Sequence, residues 1–210
     1  MAGWEAALSG ATRTGLKRKA KKLAAANNGA LDVRSYATPD EVAAFHPLAR
    51  AVSAVTYQER LLDSGLPADP SPLLRLAAAG RVRAWLLFVG GRAVAYLCCT
   101  ADGATLRYDH VGHDPAASAL SPGTVLLGEA LRDLLAEGRF KLFDFTEGEG
   151  QHKRTLATGG TACVDLLLLR RTLANRVALA ALRGFDGAAA TAKRVAAHPV
   201  LARVAKKVRR

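Results

Sequence analysis

Apolar residues along this chain fall into helical stripes with a period near 3.6 and into short apolar runs bounded by turn residues, and the changes between the two mark out the elements. At ~100° per residue Leu16, Ala20 and Leu23 share an arc of roughly 60°, with Lys17, Arg18, Lys19, Lys21 and Lys22 around the rest of the circumference. This predicts a basic amphipathic helix over residues 1–28, stopped by Asn27-Asn28-Gly29. Leu31–Tyr36 reads as a short strand. Thr38, Pro39 and Glu41 make a capping box with proline at the first helical position, and helical pattern runs on through Ala51–Leu62. A Gly/Pro-rich loop, Gly65–Pro72, leads to a short helix ending at Gly80.

Three strands follow. Val82–Val89 and Arg92–Thr100 are joined by Gly90-Gly91, and Asp102-Gly103 turns the chain into Thr105–Gly112. A helix over Ser121–Glu137, a strand over Phe140–Phe145, a loop or short helix over Glu147–Leu156 and a last strand over Ala162–Leu169 come next. Two basic helices, broken near His198-Pro199, close the chain. The meander and the later crossovers predict an α/β fold, a mixed central sheet with helices on both faces and basic helical extensions at both ends. The expected division is 1–28, 29–170 and 171–210. A doubly wound nucleotide fold is excluded, since no GxGxxG follows a first strand.

Charge changes this picture at the ends only. The net charge of +12 resolves into +5 over residues 1–27, −3 over 28–169 and +10 over 170–210. A slightly acidic domain therefore carries two basic ends, suited to an anionic membrane surface or to the tRNA backbone. No run of about 18 uncharged apolar residues occurs, and the N-terminus has no secretory core, which predicts a cytoplasmic protein, at most peripheral at the inner face of the membrane. Cys98, Cys99 and Cys163 fit no disulfide framework and are expected to be reduced and buried in strands.

Two segments could carry chemistry. In Tyr108–Gly123, which includes Val111, Ser121 is placed as an N-cap, Pro122 as the first helical residue, and Gly123 permits close approach to the backbone, with Thr124 adding a hydroxyl. A helix starting beyond a strand end presents N–H groups and a positive dipole, as a pyrophosphate requires. The competing reading is a well-capped structural helix. In Phe143–Arg154, Asp144, Glu147, Glu149, His152 and Lys153 crowd the end of a short strand. Asp144, between two phenylalanines, is expected to be partly desolvated and suited to base catalysis. The alternative is an ion-paired loop, since Glu149 and Lys153 have helical i,i+4 spacing. His110 and His113 should face opposite sides of a strand, which argues against a joint metal site and leaves one of them to line a cleft.

Arg81–Leu87, Gly91–Tyr96, Val111–Pro115, Leu120–Leu127, Phe143–Phe145 and Gly150–Lys153 together resemble the GNAT-superfamily domain of CelD-like proteins of cellulose and exopolysaccharide biosynthesis, related to the FemAB peptidoglycan transferases. Ser9–Lys22 is similar to the helix that precedes this domain in longer members. The resemblance implies a GNAT fold, acyl-CoA (acetyl-CoA in the first instance) as donor without a metal, and direct transfer to an amine or hydroxyl of a small-molecule, glycan or peptide acceptor. It implies cofactor contacts at Ser121, Gly123 and Thr124 and catalytic roles for Asp144 and Lys153. Val111 is a further cofactor-binding candidate, and Glu147 and His152 are further catalytic candidates from the strand-end cluster, His152 standing where the family often has an aromatic. The usual GNAT Arg/Gln-x-x-Gly-x-Gly/Ala loop is absent, and longer members carry an extra N-terminal domain, so a homodimer or a partner subunit could complete the cleft. An aminoacyl-tRNA-dependent transferase and a non-catalytic binding module remain the competing functions. At the C-terminal end Val200, Leu201, Val204 and Val208 form one stripe, suited either to packing on the domain or to lying on an anionic surface.

Overall fold

Near-continuous apolar runs in two glycine-turned hairpins, buried on both faces, build the centre of a five-stranded sheet whose spatial order follows the chain in the computed structural model, which describes residues 2–56, 65–147, 150–164, 166 and 168–196. The strands are β1 (Asp32–Tyr36), β2 (Val82–Val89), β3 (Arg92–Asp102), β4 (Thr105–His113) and β5 (Leu142–Asp144). Strands β1 to β4 pair antiparallel and β5 joins β4 in parallel, so the sheet is mixed, as the sequence predicts. Gly90, Gly91 and Gly103 all take positive φ, the conformation these turns require and the one for which glycine carries no side-chain penalty.

The helices are α1 (Ala2–Ala7), α2 (Gly10–Ala25), α3 (Pro39–Ser53), α4 (Ser71–Ala78), α5 (Pro122–Glu137), α6 (Gln151–Leu156) and α7 (Leu173–Ala196), with a 3-10 turn at Pro115–Leu120. Two cores form, one on each face of the sheet. On one face Leu87, Leu97, Leu106, Val125, Leu126 and Leu131 pack with Leu23 of α2. On the other Val42, Phe45, Val52, Leu86, Tyr96 and Cys98 pack beneath α3 and α4. The stripe predicted on α2 is the face it buries: Leu23 is fully buried, and Leu16 and Ala20 pack against the same core. The capping box of α3 forms as read, the Thr38 side chain accepting from Glu41 N–H while Glu41 accepts from the Thr38 N–H. Helix α3 then ties down the stretch leading to α4, with Arg50 donating to Leu66 C=O at 2.9 Å and Leu66 N–H donating to Ser53 Oγ at 2.9 Å.

Two expectations are corrected. Residues 162–164, 166, 168 and 169 form no strand, and Val164, Leu166 and Leu168 are exposed. Cys163 is accordingly exposed rather than buried. Cys98 and Cys99 are buried in β3, where burial pushes the Cys98 thiol up to about 12. The continuation of α3 into 57–62, Glu149 and its pairing with Lys153, and the stripe from Val200 onward lie outside the described residues. Residues 1–160 and 161–210 form two compact units, and no helix among the described residues is long and apolar enough to cross a membrane.

Candidate functional site

The site begins where β5 leaves β4. Their parallel pairing spans only Thr105↔Leu142, Leu106↔Phe143 and Arg107↔Asp144. Strand β4 continues to His113, and among the described residues no strand covers its outer edge beyond Arg107. Thr146 takes φ 61° just past β5, turning the chain away. The wedge is held apart on one face by aromatic rings: Tyr108, Phe143 and Phe145 pack with centroids 4.9–6.1 Å apart.

Register decides which backbone groups line the gap. Asp114 N–H donates to Val94 C=O, and Gly112 lies opposite Tyr96 in the same ladder. Antiparallel pairing alternates, so the N–H and C=O of Val111 and His113 point away from β3, into the space β5 has vacated. A bulge opposite Cys98 and Cys99 makes Asp109 the extra residue of β4. Its carboxylate accepts from the Thr100 N–H and hydroxyl, which pins the bulge.

Helix α5 starts beside this edge. Ser121 stands at its cap position but is left-handed, with φ 54° and ψ 47°, and its hydroxyl makes no bond to the helix. The expected side-chain cap is therefore corrected: the 3-10 turn, which Asp114 caps through Ala116 N–H, forces the chain through a positive φ before α5 begins. Thr124 and Val125 N–H both bond back to Ser121 C=O, and Pro122 has no N–H. The Gly123 N–H has no acceptor among the described residues. A β-carbon on Gly123 would stand 3.7 Å from His113 Nδ1, an ordinary contact. Nothing in the protein itself demands glycine here.

Two lysines from the general positive charge of α2 reach this place. Lys22 Nζ donates to Ala119 C=O at 2.8 Å, and Lys19 Nζ lies 3.5 Å from Thr124 Oγ1. Neither lysine pairs with a carboxylate among the described residues; the ion pairs there are made by arginines. The available signal was their i,i+3 spacing beside the Leu16–Leu23 stripe, which sets both on one flank of the buried face.

His110 and His113 do face opposite sides. His113 lies on the α5 side, Nε2 3.3 Å from Ser118 Oγ. His110, opposite Cys98, projects to the α3 side, where burial holds its pKa below the usual histidine value against the opposing pull of Asp109.

The strand-end cluster assembles in part. Asp144 Oδ1 accepts from Thr146 N–H at 2.8 Å, while Lys153 Nζ donates to Glu147 C=O and lies 3.5 Å from Thr146 Oγ1. Together they clamp residues 144–147. Asp144 is exposed, which corrects its expected desolvation: Phe143 and Phe145 flank it in sequence, but strand alternation puts both rings on the opposite face. The Glu147 side chain is exposed, and the structure describes only the backbone of His152. Two clefts elsewhere, one lined by Tyr36, Arg83, Trp85 and Asp133 and the other by Leu48, Val52, Phe88 and Asp114, do not include the open edge.

Residues 10–154 match the family model of the acetyltransferase (GNAT) domain. Among solved structures, an aminoglycoside acetyltransferase from an uncultured soil metagenomic sample, in complex with trehalose, aligns with TM-score 0.50 and 14% identity over 67% of this chain and 97% of that one. A ribosomal-protein-alanine N-acetyltransferase from Brucella melitensis biovar Abortus 2308 aligns with TM-score 0.43 and 14% identity, over 68% of this chain and 100% of that one. An aminoglycoside N-acetyltransferase in complex with CoA aligns with TM-score 0.45 and 12% identity, over 68% of this chain and 96% of that one. At such identities the likeness is one of fold. No match was found among curated proteins.

Proposed function

Because the chain belongs to the GNAT acetyltransferase family, we propose that it transfers an acyl group, acetyl in the first instance, from acyl-CoA to an amine or hydroxyl. The observation that carries this reading is the open outer edge of β4 running into the start of α5. A thioester arm laid along that edge meets the outward N–H groups of Val111 and His113, and its diphosphate meets the Gly123 N–H and the Thr124 hydroxyl. Lys19 and Lys22 supply the positive charge for which the sequence has no phosphate-binding arginine loop.

In this mechanism the acceptor's lone pair attacks the thioester carbonyl carbon. The negative charge on the carbonyl oxygen is stabilised by a β4 N–H, and the C–S bond breaks to release CoA as thiolate. His110, neutral at physiological pH, accepts the acceptor's proton. Asp144 and Lys153, with Glu147 beside them, hold residues 144–147 in the turn that keeps the wedge open, and His152 lies one position before Lys153 on α6. The likeness to CelD-like proteins supports an acceptor from polysaccharide or cell-envelope biosynthesis. The basic α2 supports one competing donor, an aminoacyl-tRNA of the FemAB kind.

Release of CoA thiol from acetyl-CoA, followed with a thiol reagent across a panel of amino sugars, aminoglycosides, glycans and peptide N-termini, tests the proposal. Acceptor-dependent thiol release is the expected result. Retention of charged tRNA with no thiol release from any acceptor would replace the donor.

A further inference from the structure

The unit formed by residues 161–210 carries an apolar helical face that none of the catalytic reading uses. On α7, Leu173, Val177, Leu182 and Phe185 are exposed by 78%, 64%, 50% and 71%. At ~100° per residue these four fall within half the circumference, and Ala174, Ala178, Ala181, Ala188 and Ala189 fill the same half. Arg176 and Arg183 lie within about 20° of each other on the opposite side, and Arg170 and Arg171 stand just before the helix. Over residues 170–186 four arginines face a single carboxylate, Asp186.

We propose that α7 lies on the surface of an anionic lipid bilayer, with Leu173, Val177, Leu182 and Phe185 entering the acyl boundary, Arg170 and Arg171 meeting lipid phosphates, and Arg176 and Arg183 on the outward side adding to the electrostatic attraction. The pattern selects this occupant over a helical partner. A coiled-coil seam through Leu173 and Val177 would continue at 180 and 184, where Ala180 and Gly184 offer no knobs. A wide, shallow apolar arc on a helix whose opposite side and N-terminal approach are basic instead suits a fluid anionic surface, which needs area and charge rather than matched holes. Exposed large apolar residues in such number on one helix are a standing cost in water, which burial in lipid removes.

The test is vesicle flotation of the full chain. Binding to vesicles containing 30% phosphatidylglycerol in phosphatidylcholine is expected to exceed binding to pure phosphatidylcholine by about tenfold or more and to fall steeply with added salt. Both Leu182→Glu with Phe185→Glu and Arg176→Glu with Arg183→Glu should abolish it, while stabilisation of the chain by acetyl-CoA stays unchanged. Absence of flotation, or equal binding to neutral and anionic vesicles, overturns the proposal. So does a self-association that the apolar variant dissolves, which would place a second copy on this face. Insolubility of the apolar variant, or its loss of acetyl-CoA response, overturns it too, because the face would then belong to the protein interior. The arginine variant alters exposed charges only, so flotation retained in it overturns the proposal independently of the apolar variant.

Discussion

A β-carbon on Gly112 would stand 2.6 Å from Cε1 of Tyr96, the residue opposite it in the β3–β4 ladder, and 2.8 Å from Thr56 Cγ2. The Tyr96 ring is fully buried, and its hydroxyl hydrogen-bonds Ser53 Oγ at 3.2 Å, so it cannot swing aside without breaking that bond. Gly112→Ala is therefore expected to cost about 1–3 kcal/mol. The check is urea denaturation, with a lower midpoint at an unchanged slope.

His110 gives a pH dependence with a definite sign. Its folded pKa lies below the ordinary value of 6.5 because burial disfavours the charged ring. Below pH 6.5 the unfolded chain binds a proton that the folded one refuses, so stability falls as the pH drops. Replacement by glutamine should make that fall shallower. As the proton acceptor, His110 should also set an acid limb of turnover lying below pH 6.5. Its replacement by alanine should lower turnover by about 10²–10⁴-fold. A limb untouched by the substitution would move the base elsewhere.

Lys19 and Lys22 are expected to act on phosphate alone. The double change Lys19→Ala with Lys22→Ala should weaken CoA binding by roughly tenfold or more, since charge-assisted hydrogen bonds contribute about 1.5–3 kcal/mol each. It should leave the affinity for a pantetheine thioester unchanged and flatten the salt dependence of CoA binding. Equal losses for both ligands would mean that α2 supports the fold instead.

The clamp over residues 144–147 separates two roles. Asp144→Asn keeps an oxygen for the Thr146 N–H, whereas Asp144→Ala removes it. If the carboxylate only positions the turn, asparagine should retain turnover and alanine should lower it, with stability changed by no more than about 0.5 kcal/mol at this exposed position. Lys153→Ala should resemble Asp144→Ala, because both release the same turn. A large loss with asparagine would make the charge itself part of the reaction.

Local chemistry made much of the fold readable. Gly90-Gly91 and Asp102-Gly103 determine their turns through backbone freedom alone, and Thr38 with Glu41 closes a box that needs only four residues. What was not readable depends on distant geometry. The conformation of Ser121 is imposed by the 3-10 turn before it, so a serine that looks like a cap is spent as a hinge. The open edge of β4 depends on where β5 departs, which Phe140–Phe145 does not disclose. Five basic residues between Lys17 and Lys22 look alike in sequence, and only the docking of Leu16 and Leu23 turns Lys19 and Lys22 towards α5. The apolar run ending at Leu169 reads as a buried strand because composition reports hydrophobicity but not the presence of a ladder partner.

The most direct test is a calorimetric titration of CoA and acetyl-CoA into the wild-type chain and Gly123→Ala, with thermal unfolding of both. A methyl at Gly123 meets only His113 Nδ1 at 3.7 Å, and alanine for glycine within a helix stabilises by about 0.4–1 kcal/mol. An equal or higher Tm is expected together with CoA affinity at least about tenfold weaker, a difference of ~1.4 kcal/mol. Unchanged affinity in Gly123→Ala, or no binding of CoA by the wild-type chain, would contradict it.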